Sequence, residues 1–104
     1  MKYSAEAEQQ IDGLIVHYQR KGRVEAVRNL FLALKDAEAR IERDPLAGLS
    51  APRPYPHVAR AGRSWIKVRR YWVNYTTGSP QTVVAVFFET ANIPVRAGGM
   101  TSDE

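Results

Sequence analysis

Apolar residues follow two different periods along this chain. Through the first 43 residues they recur every three or four positions, whereas beyond residue 62 they alternate with polar residues or form short runs. Three- and four-residue spacing is typical of amphipathic helices, and alternation is typical of half-buried strands. The pattern therefore predicts helices in the first half of the chain and a β-sheet in the second.

The first helix is predicted to run from about Ala5 to Arg20. Ser4 is its candidate N-cap, because a serine oxygen can accept a hydrogen bond from a free N–H group of the first turn. Gly22 follows the last turn, where glycine commonly ends a helix. The apolar stripe of this helix consists of Ala7, Ile11, Leu14, Ile15 and Tyr18.

The second helix is predicted to begin near Arg23 and to stop at Asp44, because the residue before Pro45 avoids the helical region. On its exposed face Asp36 and Arg40 are one turn apart, a spacing that favours an ion pair. A short turn separates the two helices, so an antiparallel helical hairpin is expected. The stripe expected to face the core consists of Val24, Val27, Leu30, Phe31, Ala33, Leu34, Ala37 and Ile41.

Residues 63–95 are rich in β-branched and aromatic side chains and predict a meander of three antiparallel strands. Tight turns are expected at Arg69-Arg70 and at residues 77–80. Val83 to Phe88 is apolar throughout, as expected of a strand covered on both faces. Alternation in the first two strands places one set of side chains on the face toward the helices: Ile66, Val68, Tyr71, Val73 and Tyr75. The opposite face then carries Trp65, Lys67, Trp72 and Asn74.

The order of elements predicts an α+β fold, in which an N-terminal antiparallel helical hairpin packs on a small, mainly antiparallel sheet. The sheet is expected to contain a short N-terminal strand at Met1 to Tyr3 and the C-terminal three-strand meander. Residues 46–62 are rich in proline and are expected to form an irregular connector. A single domain over residues 1–97 and a flexible tail over residues 98–104 complete this interpretation.

Composition narrows the function classes. The chain of 104 residues has room for one domain, and it has no cysteine and therefore neither disulfides nor thiolate metal sites. His17 and His57 have no clustered acids beside them, so neither a metal site nor a cofactor is expected. No apolar run approaches the roughly 18 residues of a membrane span. Residues 1–8 carry acids and lack the apolar core of a secretion signal, so none is expected. A cytoplasmic location is the expectation.

The formal charge of +4 is unevenly distributed. Residues 1–51 contain eight basic and eight acidic residues, whereas residues 52–104 contain seven basic and three acidic residues. The excess positive charge therefore belongs to the half that forms the sheet, which favours an anionic partner, either nucleic acid or an acidic protein segment. The alternative is that the charge serves solubility.

Two tryptophans share the polar face of the predicted sheet. Trp65 and Trp72 flank Lys67 on a face for which the sequence shows no obvious covering element. Such a group of residues is typical of a protein-binding hot spot or of a platform on which bases stack. The alternative is that the connector or the C-terminal tail covers both rings.

Several sequence strings occur in an order that resembles the ParE/RelE superfamily of bacterial toxin–antitoxin toxins. They are Tyr3-Ser4-Ala5-Glu6-Ala7, residues 26–33, Ile41-Glu42-Arg43-Asp44-Pro45, Val68-Arg69-Arg70-Tyr71-Trp72-Val73-Asn74-Tyr75, and Thr82-Val83-Val84-Ala85-Val86 leading to Asn92-Ile93-Pro94. The resemblance covers nearly the whole chain. It implies a toxin that a small antitoxin, encoded beside it, neutralises.

The superfamily carries two activities on one fold, so the fold does not settle the function. RelE-like members cut mRNA in the ribosome, with basic residues on the sheet and a Tyr, a His or an acid near the last strand. ParE-like members inhibit DNA gyrase and have no established nuclease activity. The resemblance therefore leaves a gyrase inhibitor and a ribosome-dependent mRNA interferase as the two main readings.

This chain departs from the nuclease pattern. RNA cleavage through the 2′-hydroxyl needs a proton acceptor, a proton donor and cations for the phosphate. No His or Tyr follows Tyr75, and Glu89-Thr90-Ala91-Asn92 stands where many members have a His-Gly segment. A nuclease would have to rely on Glu89, His57, Lys67 and Arg70.

The sequence therefore favours a non-enzymatic ParE-like toxin, with DNA gyrase as its target and a ParD-like antitoxin as its partner. The antitoxin is expected to have an acidic, partly helical C-terminal segment that folds on binding and covers the basic surface. The third reading is an inactive member of the superfamily that only binds antitoxin. Contact with the target or the antitoxin is expected through the Arg/Trp face of the sheet, the C-terminal segment from Glu89 to Arg96 and the apolar grooves beside the helices. The individual residues expected to make these contacts are Arg63, Trp65, Lys67, Arg69, Arg70, Trp72, Glu89, Asn92 and Arg96.

Overall fold

The computed structural model describes residues 1–53, 55–91 and 93. Helices and strands occur in the order expected from the sequence. They are β1 (Lys2–Tyr3), α1 (Ala5–Arg20), α2 (Val24–Arg43), a 3₁₀ turn (Pro56–Val58), β2 (Arg63–Val68), β3 (Tyr71–Thr76) and β4 (Thr82–Phe88).

The strands form one sheet in the spatial order β1-β4-β3-β2. β1 runs parallel to β4, and the other two pairings are antiparallel. β3 lies between β2 and β4. Its Trp72 pairs with Lys67 of β2, and its Val73 pairs with Val86 of β4. The predicted α+β fold is therefore confirmed, including the short N-terminal strand at the edge of the sheet.

Both ends of α1 follow from local chemistry. The Ser4 hydroxyl accepts a hydrogen bond of 3.1 Å from the N–H of Ala7, which satisfies one of the free donors of the first turn. After the last turn, Gly22 takes a φ of 66° and donates to the carbonyl of Gln19 at 3.0 Å. A glycine reaches this left-handed conformation without steric cost, so the helix ends where the sequence predicts.

The buried face of α2 is narrower than the sequence predicts. Its buried side chains are Leu30, Ala33, Leu34, Ala37 and Ile41. Val24 and Phe31, which were expected to face the core, are 79% and 52% exposed. Each residue advances about 100° around a helix, so these two positions lie beside the buried arc rather than within it.

The sheet carries a hydrophobic cluster on each face. On one face Ile66, Val73 and Tyr75 pack with buried residues of both helices. On the other face lies a smaller cluster, which consists of Trp65, Trp72, Ala85, Phe87 and Ile93 with Tyr55, Val58 and Ala91 packed against it. The side-chain alternation of β2 and β3 is as predicted, and β4 is covered on both faces.

The connector between α2 and β2 lies along the outer edge of β2. Leu49 and Trp65 exchange two backbone hydrogen bonds of 2.7 Å. Nearby, the hydroxyl of Tyr75 donates to the carbonyl of Pro45 at 2.6 Å. These bonds hold the connector against the sheet.

No helix in the described part of the chain is long and apolar enough to cross a membrane. The tail predicted over residues 98–104 lies outside the described residues.

Candidate functional site

The candidate site is an ion-pair cluster where the β2–β3 turn meets the end of β4. Lys67 lies near the end of β2, Arg70 lies in the turn, and Glu89 follows the last residue of β4. The backbone N–H of Glu89 donates to the carbonyl of Arg70 at 2.8 Å, which fixes the acid beside the turn. Its carboxylate then lies 3.2 Å from Lys67 Nζ and 2.5 Å from Arg70 Nε.

Two cations therefore share one carboxylate. The hydrogen bonds from Arg70 and then from Lys67 lower the pKa of Glu89 below its ordinary value. A lowered pKa keeps this carboxylate ionised near neutral pH. Each cation also lies over an aromatic ring, Lys67 at 5.7 Å from the ring centre of Trp72 and Arg70 at 4.9 Å from that of Phe88.

The surface next to this cluster contains a cavity of about 780 Å³. Its charged lining includes Arg40, Arg53, Lys67 and Glu89, so cations outnumber acids three to one. Arg40 also donates from Nη1 to the backbone carbonyl of Lys67 at 2.9 Å, which ties α2 to β2. The cavity is suited to an anionic surface or a phosphate group rather than to a cation.

Arg69 is separated from the cluster by the geometry of the turn. It adopts a φ of 55°, and its Nε lies 3.0 Å from the carboxylate of Asp36 on α2. The ion pair that the sequence predicts between Asp36 and Arg40 is therefore wrong. Asp36 pairs instead with Arg69, because the turn brings a distant cation closer to it than its neighbour on the helix.

The expected exposure of the two tryptophans is also wrong. Trp65 is 1% exposed and Trp72 is 8% exposed. The Trp65 ring stacks on Phe87 with 6.2 Å between ring centres. The alternative stated above was that the connector or the C-terminal tail covers both rings. Tyr55 and Val58 of the connector do pack against this cluster, whereas the tail lies outside the described residues. Burying these two large aromatic rings removes extensive apolar surface from water, which favours the covered arrangement.

The face beneath this cover has two polar atoms without a hydrogen-bond partner among the described residues. They are Nε1 of Trp65 and Oδ1 of Asn74, and both are buried. The two residues are opposite each other in the pairing of β2 with β3.

The remaining predicted residues do not join the ion-pair cluster. Arg63 lies four residues from Lys67, at the other end of β2, which is roughly 13 Å away along a strand. His57 is exposed on the 3₁₀ turn, edge-on to Tyr55, and it does not line the cavity beside Glu89. Asn92 and Arg96 lie outside the described residues.

A second cleft lies on the helix side of the sheet, where apolar grooves beside the helices were expected to contact the target or the antitoxin; its charged lining was not predicted. It has a volume of about 810 Å³, and its lining includes Gln10, Arg23, Arg69 and Arg70. Arg23 was expected only at the start of the second helix, and no role was predicted for Gln10. The sequence held no signal for either one, because they meet β4 and the turn only in the folded chain.

Beneath Arg23 in this cleft, two buried phenols face each other. The hydroxyl oxygens of Tyr18 and Tyr71 are 2.5 Å apart, and the Arg23 guanidinium lies 5.8 Å from the Tyr18 ring centre. Burial, followed by the hydrogen bond to Tyr18, raises the pKa of Tyr71 well above its ordinary value. The Tyr71 phenol is therefore a neutral hydrogen-bonding group rather than a base near neutral pH.

Within residues 1–53, 55–91 and 93, no group of three or more His, Cys, Asp or Glu side chains is placed to hold a metal ion.

No protein-family model matches this chain, and no curated protein matches it either. Function is therefore inferred from the geometry of the site and from the resemblance described above.

Proposed function

We propose that this protein is the toxin of a type II toxin–antitoxin system, that it inhibits DNA gyrase without catalysing a reaction, and that a ParD-like antitoxin neutralises it. The resemblance of the sequence strings to the ParE/RelE superfamily supports the first part. The α+β fold, with a helical hairpin on a mainly antiparallel sheet, is consistent with it. A cytoplasmic site of action follows from this target.

The observation that carries the non-enzymatic part is the state of Glu89. A general acid must be protonated at the working pH, and an effective general base has a pKa close to it. Glu89 is ionised and held by Lys67 and Arg70, which lower its pKa further. Among the described residues that line the adjacent cavity there is neither a His nor a Tyr. The cluster is suited to electrostatic recognition and poorly suited to proton transfer.

Burial of the tryptophans changes which residues would contact gyrase. Trp65 and Trp72 belong to the core, so they support the surface from below. The proposed contacts come from the exposed cations around the cavity: Arg40, Arg53, Lys67 and Arg70. Arg69 is directed to the helix side and is not part of this surface.

One observation favours the alternative of a RelE-like mRNA interferase. Lys67, Arg70 and Glu89 do converge on one surface, as an RNA-cleaving site would require. In that function the two cations would hold the phosphate and Glu89 would accept the 2′-hydroxyl proton. Ribosomes and mRNA would then be the partners.

The test is a supercoiling assay with purified gyrase and relaxed plasmid, with and without the product of the neighbouring gene. We expect inhibition that the neighbouring product relieves. We expect Lys67→Glu with Arg70→Glu to weaken it by at least about tenfold, since both changes reverse a contact charge. The matched control, Arg28→Glu with Lys35→Glu, alters two exposed charges on α2 away from the cavity and is expected to have little effect.

Glu89→Gln separates the two functions. It leaves the cations in place, so a gyrase inhibitor keeps its activity, whereas an interferase loses about 100-fold or more of its cleavage rate. Codon-phased cleavage of a reporter mRNA during translation in vitro, abolished by Glu89→Gln, would contradict the gyrase proposal. If the protein neither inhibits gyrase nor cleaves mRNA, and its induction does not arrest growth, the results favour an inactive antitoxin-binding protein.

A further inference from the structure

A smaller hollow of about 370 Å³ lies between the second half of α2 and the β2–β3 turn. Its lining consists of Asp36, Ala39, Arg40, Arg43, Val68 and Arg69. Arg40 also lines the cavity beside Glu89, so the two concave surfaces meet at this side chain. The proposed function uses only the cavity beside Glu89 and assigns no role to Arg43.

The folded chain places the cations of α2 next to those of β2. Arg40 and Arg43 both belong to the last turn of α2, and residues three apart on a helix have Cβ atoms about 5–6 Å from each other. Nη1 of Arg40 donates to the backbone carbonyl of Lys67 at 2.9 Å. Because a guanidinium has several further N–H donors, this bond positions Arg40 beside β2 without using up its capacity to bind an anion.

These side chains form one row of positive charge, here called the basic band. Each member is exposed. Within the part of the chain that the structure describes, Arg43 and Arg53 take part in no ion pair. The members of the basic band are Arg43 and Arg40 on α2, Lys67 on β2 and Arg53 on the connector.

The acids that line the same two surfaces already have cationic partners. Asp36 lies 3.0 Å from Nε of Arg69. Glu89 lies 2.5 Å from Nε of Arg70 and 3.2 Å from Nζ of Lys67. Since each acid is matched by at least one cation, the unpaired charges of the band remain positive. A row of separate positive charges is suited to a ligand that presents negative charges in a row.

The aromatic rings of these linings are closed to solvent. Trp65 is 1% exposed and Trp72 is 8% exposed, and the two linings contain no other aromatic side chain among the described residues. Proteins that bind single-stranded nucleic acids stack the bases on exposed rings. The band can therefore contact a phosphate backbone but offers no surface on which unpaired bases stack, which favours a duplex.

The band also has little apolar surface. In the smaller hollow the apolar side chains are Ala39 and Val68, and Val68 is 4% exposed. In the cavity beside Glu89, Leu49 is the large apolar side chain that solvent reaches, at 36%. Protein partners are held mainly by apolar and aromatic anchors that fill pockets. A surface with many charges and few anchors suits a phosphate backbone better than an acidic protein segment.

We propose that the basic band binds the phosphate backbone of duplex DNA without reading the base sequence. Positioning by phosphate contacts alone carries no sequence information, which agrees with a band that has no side chain placed to stack on or insert between bases. That the bound duplex is the DNA held by gyrase rests on the proposed function, whereas the DNA contact itself rests on the band.

The experiment measures the affinity of the full chain for a fluorescently labelled duplex of about 20 base pairs by anisotropy, between about 50 and 200 mM salt. Two duplexes of unrelated sequence are expected to bind equally. Each phosphate contact contributes about −0.9 to the slope of log K against log salt concentration. The four members of the band therefore predict a slope of about −3 to −4 for the wild-type protein.

Arg43→Ala is expected to bring this slope closer to zero by about 0.9 and to weaken binding about five- to tenfold at 0.1 M salt. The matched control is Arg28→Ala, which removes the same charge from an exposed position of the same helix outside both surfaces. It is expected to leave the slope unchanged. Arg43→Ala with Arg53→Ala is expected to change the slope by about twice as much as Arg43→Ala. Far-UV circular dichroism verifies that each variant is folded.

Three results would overturn the inference: no saturable binding to the duplex at 50 mM salt, the same slope for Arg43→Ala as for Arg28→Ala, or tighter binding of single-stranded RNA than of the duplex. The supercoiling assay tests the proposed function separately. If gyrase is not inhibited but the duplex binds with the expected slopes, the proposed function fails and the DNA contact remains. If gyrase is inhibited but Arg43→Ala binds the duplex as wild type does, this inference alone fails.

Discussion

Glu89 determines what the ion-pair cluster can do. One carboxylate joins the β2–β3 turn to the end of β4 through Arg70 and Lys67. From the sequence, these three residues were expected to serve a nuclease together with His57, and they were also among the residues expected to contact the target or the antitoxin. In the folded protein both cations contact the Glu89 carboxylate, and this contact keeps the carboxylate ionised.

The stability that Glu89 contributes should depend on pH. Its pKa is lowered in the folded protein, so its contribution is present above the ordinary carboxyl value of 4.5 and is lost as pH falls through the lowered folded-state value. We expect the difference in urea midpoint between wild type and Glu89→Gln to be largest near neutral pH and to vanish in strong acid. The effect should be small and should decrease in high salt, since the group is solvated. A difference that persists in strong acid would contradict the ion-pair explanation.

The Tyr18–Tyr71 pair is the other residue-level feature that can be tested. Both side chains are buried, and each hydroxyl has the other as its partner. Tyr18→Phe or Tyr71→Phe alone leaves one buried hydroxyl unpaired, which should lower the free energy of unfolding by about 1–3 kcal/mol. The double variant removes both groups and should cost less than the sum of the two single changes. Additive losses in a double-mutant cycle of urea denaturation would show that the hydroxyls do not interact.

Local sequence largely determines where the helices begin and end, but it does not determine the path of the connector. Ser4 and Gly22 set the ends of α1 through their own chemistry. The connector instead follows the edge of β2 because Leu49 pairs with Trp65 and because Gly48 can approach the sheet closely. Its proline content predicted irregular backbone, but it did not predict where that backbone would lie.

Substitution by alanine should change the free energy of unfolding in opposite directions at Gly48 and at Gly13. A Cβ at Gly48 would lie 2.7 Å from the hydroxyl oxygen of Tyr75 and 3.0 Å from the carbonyl oxygen of Trp65, whereas a Cβ at Gly13 meets nothing within 4 Å. Gly48→Ala should lower the free energy of unfolding by about 1–3 kcal/mol, because the connector must move. Gly13→Ala should raise it by about 0.5–1 kcal/mol, because alanine favours the helix interior. Denaturant titrations compare the two, and equal effects would mean that the contacts of Gly48 are unimportant.

At the scale of the whole molecule, the sheet has no large bare face. The helical hairpin covers one side, and the connector with Ala91 and Ile93 covers the other. Charged side chains lie around the edges of these layers, at the cavity beside Glu89 and in the cleft on the helix side of the sheet that Arg23 lines. The proposed function accordingly depends on arginines and lysines rather than on aromatic rings.

Tryptophan fluorescence reports on this arrangement directly. Trp65 and Trp72 are the only tryptophans in the sequence, and both are buried. The isolated protein should show blue-shifted emission that acrylamide quenches weakly, and both properties should be lost together on unfolding. Free tryptophan in denaturant serves as the exposed reference. Emission close to that of the reference in the folded protein would mean that the connector does not cover the sheet in solution.

The sequence by itself determined the elements, their order and the two faces of the sheet. Capping, proline and side-chain period act between residues that are neighbours in the chain, so α1 and α2 end where predicted and Tyr71 and Tyr75 face the helices. Lys67, Arg70 and Glu89 were also named from the sequence, because they stand near a turn and at a strand end, and their ion pairs bring them together in the folded chain.

Only the tertiary structure decided what covers each face. Whether Trp72 is a surface platform or part of the core depends on the path of the connector, which no local pattern records. The exposure of Phe31, the choice of Arg69 over Arg40 as the partner of Asp36, and the meeting of Arg23 with the edge of β4 depend in the same way on segments far apart in the chain. Such long-range arrangements depend on which distant surfaces exclude water most effectively when the layers pack together.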